Sequence, residues 1–353
     1  VRTVALWVGS VVASIVMLWV ARAQFGVQLV PEDVAIVDVS ALVVACLLHV
    51  PYAVLRAMRL QVGLDPLVAA ASPGDRFDRR ALLGSGFVSF LVLLVLPFKL
   101  GEASRPILLA RAEQPGVGVA EAVGVVGLER VIDGVLICAM LFGGLALAHA
   151  DLVGAPEQLV LVQRFGQWMG VAFVAALGFA LLAAREPAAW GARVTRWLAW
   201  QPRLSAWAGA VVVRVAESFA ALLGARRLGV LVVISLAYWA VTVAQLGAVA
   251  RACGVDLSWA AAAATVAIIG LSIQLPGGPA QTGTFQVGAG AAMALFVRDA
   301  DALDGAAHLA HAAHVNGFVA TMFALPLLGA VAMALPGLWL LARAGAARTA
   351  ARR

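Results

Sequence analysis

The chain has 353 residues, of which 63% are hydrophobic and only 12% charged, and its mean hydropathy is +0.96. Soluble domains are about 45–50% apolar and about 25% charged, so a soluble globular domain is excluded and a polytopic membrane protein is indicated. The net charge of +6 and the pI near 10.2 are read as arginine in cytoplasmic loops, not as a surface for nucleic acid.

The length leaves room for roughly eight spans of about 20 residues. The expected fold is an all-α polytopic membrane protein, one transmembrane domain over 1–353, with about eight transmembrane helices plus broken or re-entrant ones. Cys46, Cys138 and Cys253 have no motif spacing, so neither a disulfide framework nor a metal cluster is expected.

Val4–Ala21 is the first apolar run. It is longer than the apolar core of a signal peptide and is preceded by Arg2 alone, so it is read as a span, not a cleaved leader. A short acidic loop with Glu32, Asp33 and Asp38 leads to span two, Val39–Leu55. A basic loop follows, with Arg56, Arg59, Arg76, Arg79 and Arg80, then span three, Ala81–Leu96.

The next stretch, 97–130, carries Lys99, Glu102, Arg105, Arg111, Glu129 and Arg130, with Asp133 just beyond. Pro97, Gly101, Pro106, Pro115 and Gly116 interrupt it, so it is predicted to dip into the membrane and return, or to cross as broken half-helices. Charges at bilayer depth are costly and face a protein interior or a wet cavity. Spans are then expected at Val131–Ala148 and, after the Asp151–Arg164 loop, at Phe165–Ala184. These elements make up the first half, 1–164.

Arg185–Arg227 mixes Trp190, Trp197, Trp200 and Trp207 with Arg193, Arg196, Arg203 and Arg214. That composition predicts a cytoplasmic, interfacial amphipathic segment. The second half, 228–353, opens with Leu228–Val249, a turn at Arg251–Asp256, and Trp259–Leu275. A second Gly/Pro break follows over 275–286, containing Pro276, Gly277, Gly278 and Gly283, then the apolar run Val287–Val297. An acidic loop with Asp299, Asp301 and Asp304 precedes the last stretch, His308–Leu341, expected to bend near Pro326 or Pro336. The tail carries Arg343, Arg348, Arg352 and Arg353. The arginine bias places the basic loops and both termini in the cytoplasm, for a multi-pass protein of the bacterial inner membrane.

The two breaks share a shape: Leu96-Pro97 with Gly101, and Leu275-Pro276 with Gly277 and Gly278. On this topology they enter the membrane in opposite senses, which suggests a weak inverted repeat with a site between its halves.

The candidate substrate-binding residues are Lys99, Glu102, Arg105, Glu129, Arg130 and Asp133 from the first half, and Gln281, Thr282, Thr284 and Gln286 from the second break. Glu102 and Arg105 stand one helical turn apart and can pair. Guanidinium groups bind phosphate oxygens through two parallel hydrogen bonds, so Arg105 and Arg130 could cradle a lipid phosphate while acyl chains stay in the bilayer. The alternative is a buried ion-pair network that only holds the broken helices together. His308, His311 and His314 drift around a helix and do not converge, so no metal is expected, and Asn316 is read as an interhelical hydrogen-bonding group. No cofactor and no catalytic constellation is expected.

PFKLGEASRPILLAR, GLERVIDG and PGGPAQTGTFQ resemble the three signature stretches of the flippase-like family that includes the transmembrane region of lysylphosphatidylglycerol synthases. Some standalone members are associated with hopanoid or glycolipid pathways. Gly101, Glu102, Arg105, Glu129, Arg130, Asp133, Pro276, Gly283 and Phe285 match that pattern. Gln286 stands where Glu is frequent, and Ala280 where Gly is frequent. The resemblance implies re-entrant helices and movement of a lipid headgroup between leaflets, the lipid being a phospholipid, hopanoid, glycolipid or polyprenyl-phosphate lipid. Lipid-biosynthesis enzymes are the partners it suggests, and no synthase domain follows. Two other readings stay open: a polyprenyl-lipid glycosyltransferase using acids of the first outer loop, and a non-transporting accessory subunit of a lipid-synthesis complex.

Overall fold

A computed structural model describes residues 2–31, 33–153, 156–222, 224–297 and 305–351. Glu32, Asp299, Asp301, Asp304, Arg352 and Arg353, named above, lie outside them. Among the described residues the chain is all-α, and seven helices are long and apolar enough to cross a membrane. We number the helices α1 (Arg2–Phe25), α2 (Val39–Met58), α3 (Gln61–Ala71), α4 (Arg79–Val95), α5 (Ser104–Ala110), α6 (Val119–Leu147), α7 (Pro156–Arg185), α8 (Pro187–Trp197), α9 (Pro202–Leu222), α10 (Ala225–Ala252), α11 (Trp259–Ser272), α12 (Thr284–Phe296) and α13 (Gly305–Ala351).

Three boundaries differ from the sequence reading, each for a physical reason. The helical stretch does not end at Arg56: α2 runs almost directly into α3, and together they form one apolar candidate span, Val39–Ala71. Arg56 and Arg59 are therefore buried residues, not loop residues. The broken stretch also ends earlier than residue 130. After short α5 the chain turns, and Glu129, Arg130 and Asp133 sit inside the continuous 29-residue α6. Glycine without proline does not stop that helix; instead Gly124, Gly134 and Gly144 let α9, α7 and α11 approach closely.

Thirdly, 185–227 is a helical hairpin. Gly191 of α8 and Gly209 of α9 face each other so tightly that a Cβ on either would strike the other helix. The α9 helix is itself one of the seven candidate spans and packs on α6 and α7. The Trp/Arg character persists at one end: Trp197, Trp200 and Trp207 are exposed, and the Arg193 guanidinium lies 4.5 Å from the centre of the Trp190 ring.

The two breaks meet. The first runs from Leu96 into a short 3-10 turn, Pro97–Ala103, and the second contains a 3-10 turn at Pro279–Gln281. The Phe98 amide donates to the Gly277 carbonyl at 3.3 Å, and Lys99 Nζ donates to Gln274 Oε1 at 2.8 Å. The register of the likeness differs from the Leu-Pro match. In Pro97-Phe98-Lys99-Leu100-Gly101, the two residues after proline are left-handed, with φ of 49° and 57°. In Pro279-Ala280-Gln281-Thr282-Gly283 they are again left-handed, at 53° and 60°. Two adjacent non-glycine residues in that region are strained. The shared unit is thus Pro-x-x-x-Gly, each copy leading into a helix, with Pro279 matching Pro97.

The largest apolar cluster joins α6, α10, α11, α12 and α13, and a second joins α3, α4, α6 and α9. The α6 helix belongs to both, which places its charged middle at the seam between them.

Candidate functional site

Arg59, at the junction of α2 and α3, sits at the centre of the seam. Its Nη2 donates to Glu129 Oε1 at 2.7 Å, and its Nη1 and Nη2 grip both oxygens of Asp133. Arg105, carried in by α5, donates to both oxygens of Glu129 at 3.1 and 3.3 Å and to the Arg56 carbonyl. The Trp239 indole donates to Asp133 at 3.2 Å, and the Tyr238 ring lies 4.2 Å from the Arg59 guanidinium carbon. Arg59, Glu129, Asp133 and Arg105 retain only 1%, 2%, 4% and 4% of their exposure. Two guanidinium groups and two carboxylates thus neutralise each other in a cluster that is almost wholly buried, the condition under which buried charge is tolerated.

Arg130 is different. It donates to Glu129 Oε1 at 2.8 Å, yet its side chain keeps 36% exposure. Its exposed part borders a cavity of about 270 Å³. Its lining combines charged and polar groups, including Lys99, Glu102, Arg130, Asp133, Gln274 and Gln281, with aromatic ones, including Phe90, Phe173, Tyr238, Trp239 and Phe285. A smaller niche of about 20 Å³ adjoins it, lined by Arg56, Arg105 and Arg130 with Ser89 and Glu102. Arg56, Leu93, Glu102 and Arg130 line both spaces.

The candidates named from sequence therefore divide. Lys99, Glu102, Arg130, Asp133 and Gln281 line the main cavity. Glu129 lines neither space and is wholly engaged by three arginines. Arg105 reaches only the niche, and its ion-pair partner is Glu129, not Glu102. Three neutral residues of the second break serve their own backbone. The Thr282 hydroxyl donates to the Pro279 carbonyl at 2.7 Å and the Thr284 hydroxyl to the Gln281 carbonyl at 3.0 Å. Gln286 Oε1 accepts from the Gly283 amide at 2.7 Å, capping α12. These bonds meet the need of a broken backbone for polar partners.

Gly101 and the second break are positions where only glycine fits. A Cβ on Gly101 would run into the Leu93 backbone, and one on Gly278 into Ser14 of α1. Gly283 has a φ of +92° and lies against the α1 backbone. The α1 helix thus clasps the second break.

Among other sequence readings, Asn316 accepts from the Gln28 amide at 3.2 Å, in the loop after α1, and His314 Nδ1 meets the Cys253 carbonyl at 2.6 Å. Asp38 is the N-cap of α2, accepting from Ser40 and Ala41, and the Ser40 hydroxyl holds its carboxyl below the usual range.

Arg56, Arg59, Tyr238 and Trp239 were missed. One signal existed for the arginines: Val62–Ala71 is again apolar, so the helix stays at depth beyond them. Tyr238 and Trp239 lie in an apolar run, where an aromatic pair gives no sign of facing a charge.

The sequence matches one family model, described as the lysylphosphatidylglycerol synthase TM region, over residues 6–315. Neither a curated protein nor a solved structure matches it.

Proposed function

This chain belongs to the lysylphosphatidylglycerol synthase TM-region family, and from that premise we propose that it moves the polar headgroup of a membrane lipid between leaflets. The family points to a membrane-lipid role and the helices to a multi-pass membrane protein. The observation that carries the finer reading is the amphipathic cavity at the meeting of the two breaks. It brings Lys99, Glu102 and Arg130 together with aromatic and apolar side chains in the lining of one space. A headgroup needs hydrogen-bonding partners at bilayer depth, and its chains need an apolar exit.

Alternating access is commonly built on inverted repeats, and the helix pairing supports one here. The helix before the first break, α4, packs on α13, which follows the second. The helix before the second break, α11, packs on α6, which follows the first, while α2 packs on α10 and the two 3-10 turns pack on each other. A two-fold axis in the membrane plane would exchange these partners in this way. We place the protein in a bacterial inner membrane with both termini cytoplasmic, on the arginine distribution.

The test is translocation in proteoliposomes holding purified full-length protein and a trace of headgroup-labelled phospholipid, read by quenching of the outer leaflet. Wild type should flip lipid well above protein-free vesicles. Arg130→Gln and Lys99→Gln should each slow it about tenfold, the size of effect expected from losing one charge-assisted contact of about 1.4 kcal/mol. Wild-type rates equal to empty vesicles would overturn the proposal.

A further inference from the structure

Resting on that reading, we propose that the site selects an anionic, phosphate-terminated ligand, with the niche between Arg56, Arg105 and Arg130 receiving the phosphoryl oxygens. The argument is one of charge balance. The arginine, lysine and carboxylate groups of the network and the two spaces, among the described residues, are Arg56, Arg59, Lys99, Arg105 and Arg130 and Glu102, Glu129 and Asp133. Five cations face three carboxylates, an excess of two positive charges at membrane depth. Arg59, Arg105, Glu129 and Asp133 cancel among themselves, and Lys99 can be set against Glu102. The excess therefore falls on Arg56 and Arg130, the two arginines that line both the niche and the main cavity.

Neither has a carboxylate of its own. Arg56 is buried, donates to the Gly86 carbonyl at 3.3 Å and lies over the Phe90 ring, but has no carboxylate within ion-pair distance among the described residues. Arg130 shares Glu129 with Arg59 and Arg105, and shares Asp133, at 3.7 Å, with Arg59. The third niche arginine, Arg105, is 4% exposed, and its Nε has no hydrogen-bond partner. Isolated charge away from water is expensive, so a fixed excess of this kind calls for a counter-anion. A space of about 20 Å³ admits one or two oxygen-sized groups. The phosphorus atom would then sit at the mouth, and the remainder of the ligand in the larger cavity. A phosphomonoester carries about −1.5 to −2 charges at neutral pH and matches the excess. A diester supplies one charge, a zwitterionic headgroup none, and an aminoacylated headgroup the wrong sign. Phosphate oxygens could come from a lipid or from free phosphate, and the chemistry of the niche is common to both.

The test is ligand retention by the purified full-length protein in detergent, measured by native mass spectrometry. The probes are phosphatidic acid, phosphatidylglycerol, phosphatidylethanolamine and lysylphosphatidylglycerol, with inorganic phosphate as competitor. Phosphatidic acid should bind about tenfold or more tightly than the zwitterionic and cationic lipids, with phosphatidylglycerol between. Arg56→Gln and Arg130→Gln should each erase most of that preference. Displacement by inorganic phosphate near the lipid's own concentration assigns the niche to the soluble anion; resistance to a large excess assigns it to the lipid. Equal or tighter binding of phosphatidylethanolamine or lysylphosphatidylglycerol by wild type overturns the inference, whether or not the variants fold. Preference without translocation would sink the transport reading and leave the anion site; translocation without preference would do the reverse.

Discussion

Replacing Arg59 by methionine tests the buried charge network beneath the cavity. Methionine keeps much of the aliphatic volume and removes the guanidinium. Asp133 then loses a two-pronged partner and keeps the Trp239 indole at 3.2 Å and Arg130 at 3.7 Å. Glu129 loses one of three arginines. Removing one member of a buried ion pair strands the other and costs about 3–5 kcal/mol. Arg59→Met should therefore lose about that much stability, most of it through Asp133. Adding Asp133→Leu removes the stranded carboxylate, so the double variant should be more stable than the sum of the single losses predicts, by about 1–3 kcal/mol. The assay is equilibrium unfolding in mixed micelles, read by the fluorescence of the chain's ten tryptophans. A single-variant loss below about 1 kcal/mol, or strictly additive losses in the double variant, would refute a closed charge network at this seam.

Two further outcomes follow from the breaks. Gly278→Val should collapse the seat of α1 on the second break, because the added carbons meet Ser14 on a packed helix; a loss of about 1–3 kcal/mol is expected in the same unfolding assay, as for other overpacked sites. Gln286→Leu removes the acceptor for the Gly283 amide and should cost about 1 kcal/mol, the usual worth of a helix N-terminal cap.

Much of the architecture was readable because apolar runs and Gly/Pro interruptions are local signals. The ends of α1, α2, α4, α10 and α11 lie within a few residues of the runs that announced them. Both breaks were found for the same reason. What was not readable depends on tertiary placement. Arg56 and Arg59 follow an apolar span, and in one dimension that is also the look of a cytoplasmic loop. Only the packing of α3 against α9 and α10 shows that the chain is still buried there. Glu129 looked like a ligand for substrate because a carboxylate in an oily helix needs a partner, and sequence cannot tell whether that partner is a neighbour or a passing molecule. Nor does sequence show that Thr282, Thr284 and Gln286 bond to their own broken backbone.

The network and the cavity meet at consecutive residues of one helix. Glu129 is enclosed, while Arg130 is tied to it and keeps a third of its side chain exposed. This arrangement bears on how a cavity can carry charge without the protein collapsing onto it. A lone arginine on a cavity wall would be free to fold back to the nearest carbonyl. Anchored at Glu129 Oε1, which Arg59 and Arg105 also hold, the Arg130 guanidinium has one side fixed and the rest available. On the proposed reading the buried ions hold that guanidinium in place, and its exposed part is what a ligand would meet. Substitutions at Arg59 should move stability first and transport as a consequence, whereas substitutions at Arg130 should move transport with the fold still standing. If loss of Arg130 unfolds the protein as readily as loss of Arg59, the two groups are a single structural clamp and the cavity wall has no independent charge to offer a lipid.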